Sequence, residues 1–425
     1  MSATRLGTAS PGVEVAHRRP GREGARREPG FVAPDFTPHE GAGYDPSVTS
    51  VVRRALAMGL SLVALAPLSL ACTRRESTSA PAPNAVIASA SAKEPAAPTP
   101  SPTVKLVGRF DTSDPAAIRF AWSGSMIVGR FKGTGIRARL KDDGGKNQFQ
   151  VLVDGEPRAV LKADASKESF SLAEGLPDGV HDVAIYKRTE AKLGEATFLG
   201  FEPQGGTMLP PPAGAERRIE VIGDSITAGF GNEGPGPVCT FNPADENQYT
   251  AYGALAAREL KAEHVTIAWS GKTIGEMTDY YERTLPERPE STWDFKAWTP
   301  QLVVMNIGTN NFATHDPGES RYVRVYTNLF DRIRRAYPQA LIVCLLGPML
   351  SNAYPIGKQN LTLARRYMTS AIAKIKASGE KNFEYVELPE QKPSDGFGCG
   401  FHPSAKTHKL MADRVVAVAK ERLGW

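Results

Sequence analysis

Five short apolar runs, each of the kind that forms a buried strand, recur through the carboxyl-terminal half of this sequence. They lie at 217–222, 263–269, 301–307, 340–346 and 383–388. The intervals show helical periodicity, as where Tyr326, Leu329 and Ile333 stand three or four positions apart. Alternating strands and helices of this type fold into a parallel sheet with helices on both faces. We therefore predict an α/β domain over 215–425, with three αβα layers and a parallel five-stranded sheet.

A different pattern precedes it. Residues 104–209 contain short alternating or β-branched runs separated by turns, which predict an all-β jelly-roll sandwich. The runs are 104–110, 118–122, 126–131, 136–140, 149–153, 183–186 and 197–201. Asp154-Gly155 is a typical hairpin turn between two strands. The proline-rich segment 210–214 marks the boundary between the two domains.

The amino-terminal quarter of the chain looks like a processing and tethering region. Residues 55–72 form an apolar stretch that follows Arg53-Arg54 and ends in small residues, a pattern typical of a signal peptide. A membrane-spanning helix is the alternative, which Pro67 and the marginal length disfavour. The end of the stretch, Leu-Ser-Leu-Ala-Cys72, resembles a bacterial lipobox. We therefore expect an exported protein, either released or anchored by a lipid on Cys72.

The flanking segments carry no sign of a folded core. Residues 1–54 are rich in Arg, Pro and Gly, unlike the short basic start of a signal peptide, so we regard them as a doubtful extension. Translation that starts near Val51 or Val52 would remove nearly all of it. Residues 73–103 are rich in Ala, Ser and Pro and predict a flexible linker.

Composition excludes several classes of function. The formal net charge of the 425-residue chain is only +5, and eight arginines fall within the first 54 residues, so nucleic-acid binding is not indicated. The four cysteines form no Cys-x-x-Cys pair, which disfavours a zinc or dithiol site. We predict no metal and no cofactor, and we expect a monomer.

Polar motifs follow the ends of the predicted parallel strands. Gly223-Asp224-Ser225 follows the first strand, Gly271 the second, Asn310 the third and His402 the fifth. Because parallel strands end at one edge of a sheet, these residues should converge there. The simpler interpretations are that Ser225 caps a helix and that Gly271 and Asn310 are turn residues.

Over 217–425 the sequence resembles the SGNH (GDSL-like) hydrolase superfamily. The matching blocks are Gly-Asp-Ser, a glycine after the second strand, Gly-x-Asn and a late His-Pro. Features of the upstream sandwich make the likeness narrower. They are the segments 122–125, 153–155 and 187–190, together with 239–241 and 399–403. With them, the sequence resembles carbohydrate esterase family two, the acetyl xylan esterase type, from about residue 104 to the end. That resemblance implies a jelly roll joined to a flavodoxin-like SGNH domain, and removal of acetyl groups from sugars such as xylan and glucomannan.

The resemblance also implies roles for individual residues. Ser225 corresponds to the nucleophile and His402 to the general base. The backbone N–H groups of Ser225 and Gly271 and the side chain of Asn310 correspond to the oxyanion hole. Asp224 caps the following helix or steadies the serine loop.

The acid that orients the histidine is missing from its usual place. Where most SGNH enzymes carry an aspartate three residues before the histidine, this sequence has Cys399, and Gly400 follows it. A backbone carbonyl can orient the imidazole instead, which would make a Ser-His dyad. Asp395 could restore a triad by folding back towards His402.

Two further expectations concern loops at the same edge. Cys239 and Cys399 follow the first and fifth strands, and an exported protein could join them in a disulfide, although two reduced thiols remain the alternative. Trp269, Phe312 and Tyr354 follow strand ends and could contact a sugar, although packing explains them equally well.

Together these features favour an exported, metal-independent serine esterase that acts on an acetylated carbohydrate. The first alternative is an SGNH esterase or lipase for another acyl group. The second is a carbohydrate-binding surface protein without catalytic activity.

Overall fold

A computed structural model describes residues 103–425, which all fall within one structural unit, Glu94–Trp425. The predicted extension 1–54, the predicted signal segment 55–72 with Cys72, and all but the last residue of the predicted linker 73–103 lie outside the described residues. None of the helices within 103–425 combines the length and the apolar character needed to span a bilayer.

The first domain is an antiparallel β-sandwich, as the alternating pattern predicts. Its strands are β1 (Val104–Val107), β2 (Ile118–Phe120), β3 (Met126–Gly133), β4 (Gly135–Asp142), β5 (Gln148–Val153), β6 (Glu156–Lys162), β7 (Ser169–Ala173), β8 (Gly179–Lys187), β9 (Ala196–Gln204) and β10 (Thr207–Leu209). One sheet has the order β1-β3-β8-β5-β6, with β10 also paired to β3, and the other has the order β2-β9-β4-β7. This sandwich confirms the all-β part of the predicted fold.

The period of two in the sequence produces the core of the sandwich. In β4, the side chains of Ile136, Ala138 and Leu140 are buried, whereas those of Arg139 and Lys141, which alternate with them, are exposed. Residues buried in this way on both sheets pack into one apolar cluster. The Asp154-Gly155 turn joins β5 to β6 with positive φ angles of 54° and 82°, and Val153 pairs with Glu156 across it.

The second domain contains the predicted parallel sheet. Its strands are β11 (Arg218–Gly223), β12 (Glu263–Ala268), β13 (Leu302–Asn306), β14 (Leu341–Leu346) and β15 (Phe383–Glu387). The helices are α1 (Ser225–Ala228), α2 (Tyr252–Glu259), α3 (Ile274–Tyr280), α4 (Glu319–Ala336), α5 (Asn360–Ala377) and α6 (Ala405–Leu423). The strand order β12-β11-β13-β14-β15, parallel throughout, is that of a flavodoxin-like sheet.

Helices cover both faces of this sheet, so the domain has the three layers that the sequence predicts. Apolar residues of α3, α4 and α5 pack with one face of the sheet, and residues of α2 and α6 pack with the other. Each face buries nearly continuous Val, Ile and Leu side chains from the strands, which is expected for a parallel sheet.

Strand register places the ends of β11, β12 and β13, which precede predicted site residues, side by side. Gly223 at the end of β11 pairs with Ala268 of β12 and with Asn306 of β13. The loops that follow these three neighbouring strands therefore start at one level, and the segment of Ser225 lies between the other two.

Buried polar contacts join the sandwich to the sheet domain. The guanidinium of Arg109 and the carboxylate of Glu220 in β11 form a fully buried ion pair at 3.2 Å. The Glu220 carboxylate also accepts hydrogen bonds from the hydroxyl groups of Tyr281 at 2.9 Å and Tyr337 at 3.0 Å. Separation of the two domains would leave a buried charge without its partner, which is strongly destabilising. The ion pair therefore favours one arrangement of the two domains.

Candidate active site

A sharp turn between β11 and α1 fixes Ser225. Asp224 is the N-cap of α1, and its Oδ1 accepts a hydrogen bond from the Ile226 N–H at 3.1 Å. Gly223 permits the turn, because a Cβ there would lie 2.0 Å from Thr227 Oγ1 and 2.6 Å from the Asn306 carbonyl oxygen. Gly229 ends α1 in the left-handed conformation. Asp224 is fully buried, and this burial raises its pKa to about 7.

His402 lies within hydrogen-bond distance of Ser225. The distance between His402 Nε2 and Ser225 Oγ is 2.8 Å, although 177 positions separate the two residues in the sequence. The other ring nitrogen, Nδ1, lies 2.9 Å from the carbonyl oxygen of Cys399. A carbonyl oxygen can only accept, so Nδ1 carries the proton and Nε2 is free to accept the serine proton.

Burial lowers the pKa of His402, while hydrogen bonds to the backbone of Cys399 and Gly400 act in the opposite direction. The Phe230 ring packs against the imidazole with their centroids 4.6 Å apart, and Phe241 stacks on Phe230 at 4.5 Å. The imidazole is therefore held in a mostly apolar environment that favours its neutral form.

The carbonyl oxygen of Cys399 is itself held in place. A disulfide joins Cys399 to Cys239, with the two Cα atoms 5.1 Å apart. The Cys399 N–H donates to the Gly231 carbonyl at 3.0 Å, and the Gly398 N–H donates to the His402 carbonyl at 2.8 Å. The loop that carries the histidine is therefore tied to the loop that follows the nucleophile.

Asp395 does not complete a triad, and the prediction that it could fold back is wrong. Its carboxylate pairs with Lys406 Nζ at 2.6 Å, and its backbone carbonyl accepts a hydrogen bond from the Ser404 hydroxyl at 2.6 Å. Both partners belong to the start of α6, so they hold Asp395 at that helix, while the Cys399 carbonyl occupies the hydrogen-bonding position at His402 Nδ1.

The predicted oxyanion donors lie on the loops that register brings together. Gly271 has a φ of 80°, a conformation that favours glycine. Asn310 Nδ2 donates to the Lys272 carbonyl oxygen at 3.1 Å, which links the loops after β12 and β13 and leaves its second N–H free to donate. Within residues 103–425, the N–H groups of Ser225 and Gly271 have no protein acceptor. The oxyanion roles themselves stay predictions.

The three aromatic residues expected near the substrate differ in exposure. Trp269 is 7% exposed and packs against Tyr280, with ring centroids 5.0 Å apart. Phe312 is 2% exposed and packs against Tyr322 at 5.6 Å. Both rings belong to the core of the sheet domain, which favours packing over substrate contact as their role. Tyr354 is 54% exposed on the loop after β14, and its contact with substrate stays a prediction.

Two features of the site were not identified from the sequence. The ring of Phe230 packs on His402, and its only sequence signal is its position directly after α1. The sequence allowed a backbone carbonyl to orient His402, but it could not show that the carbonyl is that of Cys399, because any residue type provides one. No group of three or more His, Cys, Asp or Glu side chains within 103–425 is arranged to hold a metal ion.

Two family descriptions match this chain in succession. Residues 106–212 match the family described as Carbohydrate esterase 2 N-terminal. Residues 221–410 match the GDSL-like Lipase/Acylhydrolase family. The first covers the sandwich, and the second covers the sheet domain with the Ser225 and His402 pair.

Individual relatives agree with these matches. The chain is 42% identical over 336 residues to Cellulase/esterase CelE of Acetivibrio thermocellus, a match that spans 76% of this chain and 40% of that protein. It is 25% identical to an acetylxylan esterase / glucomannan deacetylase of Cellvibrio japonicus, over 76% of this chain and 90% of that protein. The solved structure of a family two carbohydrate esterase from Clostridium thermocellum, in complex with cellohexaose, is 41% identical. It superposes with a TM-score of 0.72 over 76% of this chain and 99% of that chain.

Proposed function

The chain belongs to carbohydrate esterase family two, and on this premise we propose that it is an exported serine esterase that hydrolyses O-acetyl esters of polysaccharides or oligosaccharides. The observation that carries the proposal is the 2.8 Å distance between Ser225 Oγ and His402 Nε2. The proton on Nδ1, fixed by the Cys399 carbonyl, leaves Nε2 in the form that a general base requires.

The first half-reaction transfers the acetyl group to the protein. His402 Nε2 takes the hydroxyl proton of Ser225 as Oγ attacks the acetyl carbonyl carbon, which forms a tetrahedral intermediate. Its negative oxygen accepts hydrogen bonds from the N–H groups of Ser225 and Gly271 and from Asn310 Nδ2. The intermediate collapses, the ester C–O bond breaks, and the sugar hydroxyl leaves with the proton from His402.

The second half-reaction releases acetate. A water molecule gives a proton to His402 Nε2 and attacks the acetyl-serine carbonyl, and the same donors stabilise the second intermediate. The bond between Ser225 Oγ and the acetyl carbon then breaks, and the proton returns to Oγ. During both steps the imidazolium keeps its hydrogen bond to the Cys399 carbonyl, without the countercharge that a carboxylate would supply.

The choice of acetyl esters on carbohydrates rests on the relatives. The Cellvibrio japonicus relative is an acetylxylan esterase / glucomannan deacetylase, and the Clostridium thermocellum structure is that of a family two carbohydrate esterase with cellohexaose bound. Export rests on the sequence of residues 55–72 and on the Cys239–Cys399 disulfide, because disulfides persist mainly in oxidising compartments. A lipid anchor on Cys72 remains the alternative to release.

Acetate release from a panel of acetylated xylan, acetylated glucomannan and acetylated cello-oligosaccharides tests the proposal. A parallel series of nitrophenyl acetate, butyrate and octanoate esters tests the acyl group. We expect acetate release from at least one glycan and the fastest turnover with the acetyl ester. A preference for octanoate would instead indicate an SGNH lipase, and glycan binding without any ester turnover would indicate a binding protein.

A further inference from the structure

Glu190, a residue of the sandwich, contacts the loop that carries a proposed oxyanion donor. Its carboxylate Oε2 accepts a hydrogen bond from the backbone N–H of Ser270 at 2.7 Å. Ser270 directly precedes Gly271, whose N–H is the proposed donor. The contact joins residues 80 positions apart in the sequence, from two different domains.

The backbone around Glu190 is fixed from the side of the sheet domain. The Glu190 N–H donates to Glu246 Oε2 at 2.9 Å. Two residues earlier, the Arg188 carbonyl accepts a hydrogen bond from the Gln248 N–H at 2.9 Å. The segment is therefore bound to the strand-end loops of the other domain at three points, and one of these is the loop of Gly271.

The side chains of Glu190, Glu246 and Lys187 are buried together. Lys187 Nζ donates to the carbonyl oxygens of Thr189 at 2.8 Å and Glu190 at 3.0 Å. Burial lowers the pKa of Lys187 to about 8, while the carboxylates of Glu246, Asp142 and Glu190 oppose this. Burial also raises the pKa of both Glu190 and Glu246. In either protonation state Glu190 retains an oxygen that can accept from the Ser270 N–H.

We propose that Glu190 is a positioning residue for the oxyanion hole, and that its carboxyl group fixes the peptide at Ser270 so that the Gly271 N–H faces the reacting carbonyl oxygen. This inference rests on the proposed esterase function. A glycine at φ 80° has no side chain to hold its own peptide in place, so an external contact on the preceding peptide supplies the restraint. The sandwich then takes part in catalysis, through a residue that need not touch substrate.

Burial of the Glu190 carboxyl group costs free energy, and a contact that only stabilised the domain packing would not require it. Its Oε1 and the Oε1 of Glu246 have no hydrogen-bond partner among the described residues. A domain contact optimised only for stability would satisfy or replace such groups. The unpaired atoms are compatible with a group retained for the geometry of the loop.

Substitution of Glu190 in the full chain tests the inference, with acetate release as the readout. Glu190→Met keeps the length of the side chain but removes the acceptor. We expect kcat to fall about 10- to 100-fold, since loss of a whole oxyanion donor costs about 10²–10³ and this donor is misplaced rather than removed. KM should change less than about twofold, because the oxyanion forms only in the transition state. Glu190→Gln retains an acceptor oxygen and should keep kcat within about threefold.

Glu195→Met provides the matched control for a purely structural role. Glu195 is also a sandwich glutamate, and its carboxylate accepts hydrogen bonds from Arg288 Nε at 2.7 Å and Nη2 at 3.0 Å, in the segment of the other domain between α3 and β13. It should lower the melting temperature yet leave kcat within about twofold. If Glu190→Met and Glu195→Met lower kcat equally, or if Glu190→Met leaves kcat unchanged, the inference is overturned. Should Glu190→Met not fold, Glu190→Asp, which withdraws the acceptor by one methylene, must lower kcat without raising KM.

Labelling with a fluorophosphonate separates this inference from the proposed function. Ser225 Oγ bonds to phosphorus, fluoride leaves, the serine proton passes to His402, and the phosphoryl oxygen occupies the oxyanion hole. If the wild-type chain is labelled but releases no acetate, the proposed substrate is wrong. The Glu190 inference is then tested by the labelling rate, which should be lower in Glu190→Met than in the wild type. A wild-type chain that is neither labelled nor hydrolytic overturns both.

Discussion

The Nδ1 nitrogen of His402 lies 2.9 Å from the carbonyl oxygen of Cys399, the position that a carboxylate occupies in a Ser-His-Asp triad. The carbonyl fixes the tautomer and the ring orientation but contributes no full negative charge. The Cys239–Cys399 disulfide and the Gly231 carbonyl hold the same residue in place. Orientation of the base therefore depends on the position of a backbone segment.

The pH dependence should follow the neutral imidazole. Burial lowers the pKa of His402 below its ordinary value of 6.5, and only the neutral form can accept the Ser225 proton. The acidic limb of kcat/KM should therefore lie below pH 6.5, with the activity lost as pH falls through it. Asp224 is the other candidate, because burial raises its pKa to about 7. The acidic limb should persist in Asp224→Asn. If it disappeared in that variant, the titrating group would be Asp224 and not His402.

Asp395→Asn should leave turnover nearly unchanged. The Asp395 carboxylate pairs with Lys406 and not with His402, so its loss should cost about 0–1 kcal/mol of stability and change kcat/KM less than about twofold. Steady-state kinetics on an acetyl ester checks this. A loss approaching the roughly 10⁴-fold effect of removing a triad carboxylate, in a folded variant, would show that Asp395 orients the base.

Removal of the disulfide should affect both stability and turnover. Cys239→Ser releases Cys399, and we expect a loss of about 2–5 kcal/mol in the free energy of unfolding. Since the Cys399 carbonyl orients His402, kcat should also fall, by about tenfold against the roughly 10⁴-fold limit for a wrong tautomer. Denaturant unfolding and kinetics below the melting transition measure the two effects. A reductant should reproduce the kinetic loss in the wild type and add nothing in Cys239→Ser, and an unchanged kcat in both would contradict the link.

Asn310→Asp should lower kcat about 10²–10³-fold, because it replaces an N–H donor to the oxyanion with a carboxylate oxygen. Asn311→Asp is the matched control one position later. Asn311 Oδ1 accepts from the Ile274 N–H at 3.1 Å at the start of α3, and aspartate can accept that bond equally well. Kinetics of the two variants side by side decide the matter, and equal losses would mean that charge at this edge, rather than a specific donor, causes the effect.

The fold follows from the sequence wherever periodicity reports burial. The first four parallel strands are buried at nearly every position and the edge strand β15 is partly buried. Each of the five starts and ends within one residue of the predicted run. The sandwich strand β6 was missed because nearly all of its side chains are exposed, so it carries no alternating apolar pattern. Strands β7 and β10 were missed as well. They are short and only partly buried, which leaves little periodicity to detect.

The site was predictable to the extent that it depends on strand order and residue type. Ser225, Gly271, Asn310 and His402 each follow the end of a parallel strand, so topology alone brings them to one edge. The acceptor for His402 Nδ1 is a main-chain oxygen, which leaves no trace in residue identity. The burial of Trp269 and Phe312 depends on how the helices pack over the loops, which lies beyond the information in the strand pattern.

Acetate release by Ser225→Ala beside the wild type tests the central claim most directly. Both proteins should share the same melting temperature and be assayed on the same acetylated glycan. We predict that kcat falls about 10⁶-fold, the scale seen when a serine nucleophile is removed from a Ser-His site. A Ser225→Ala rate within about tenfold of the wild type would contradict the account, because the hydrolysis would then proceed without the Ser225–His402 pair.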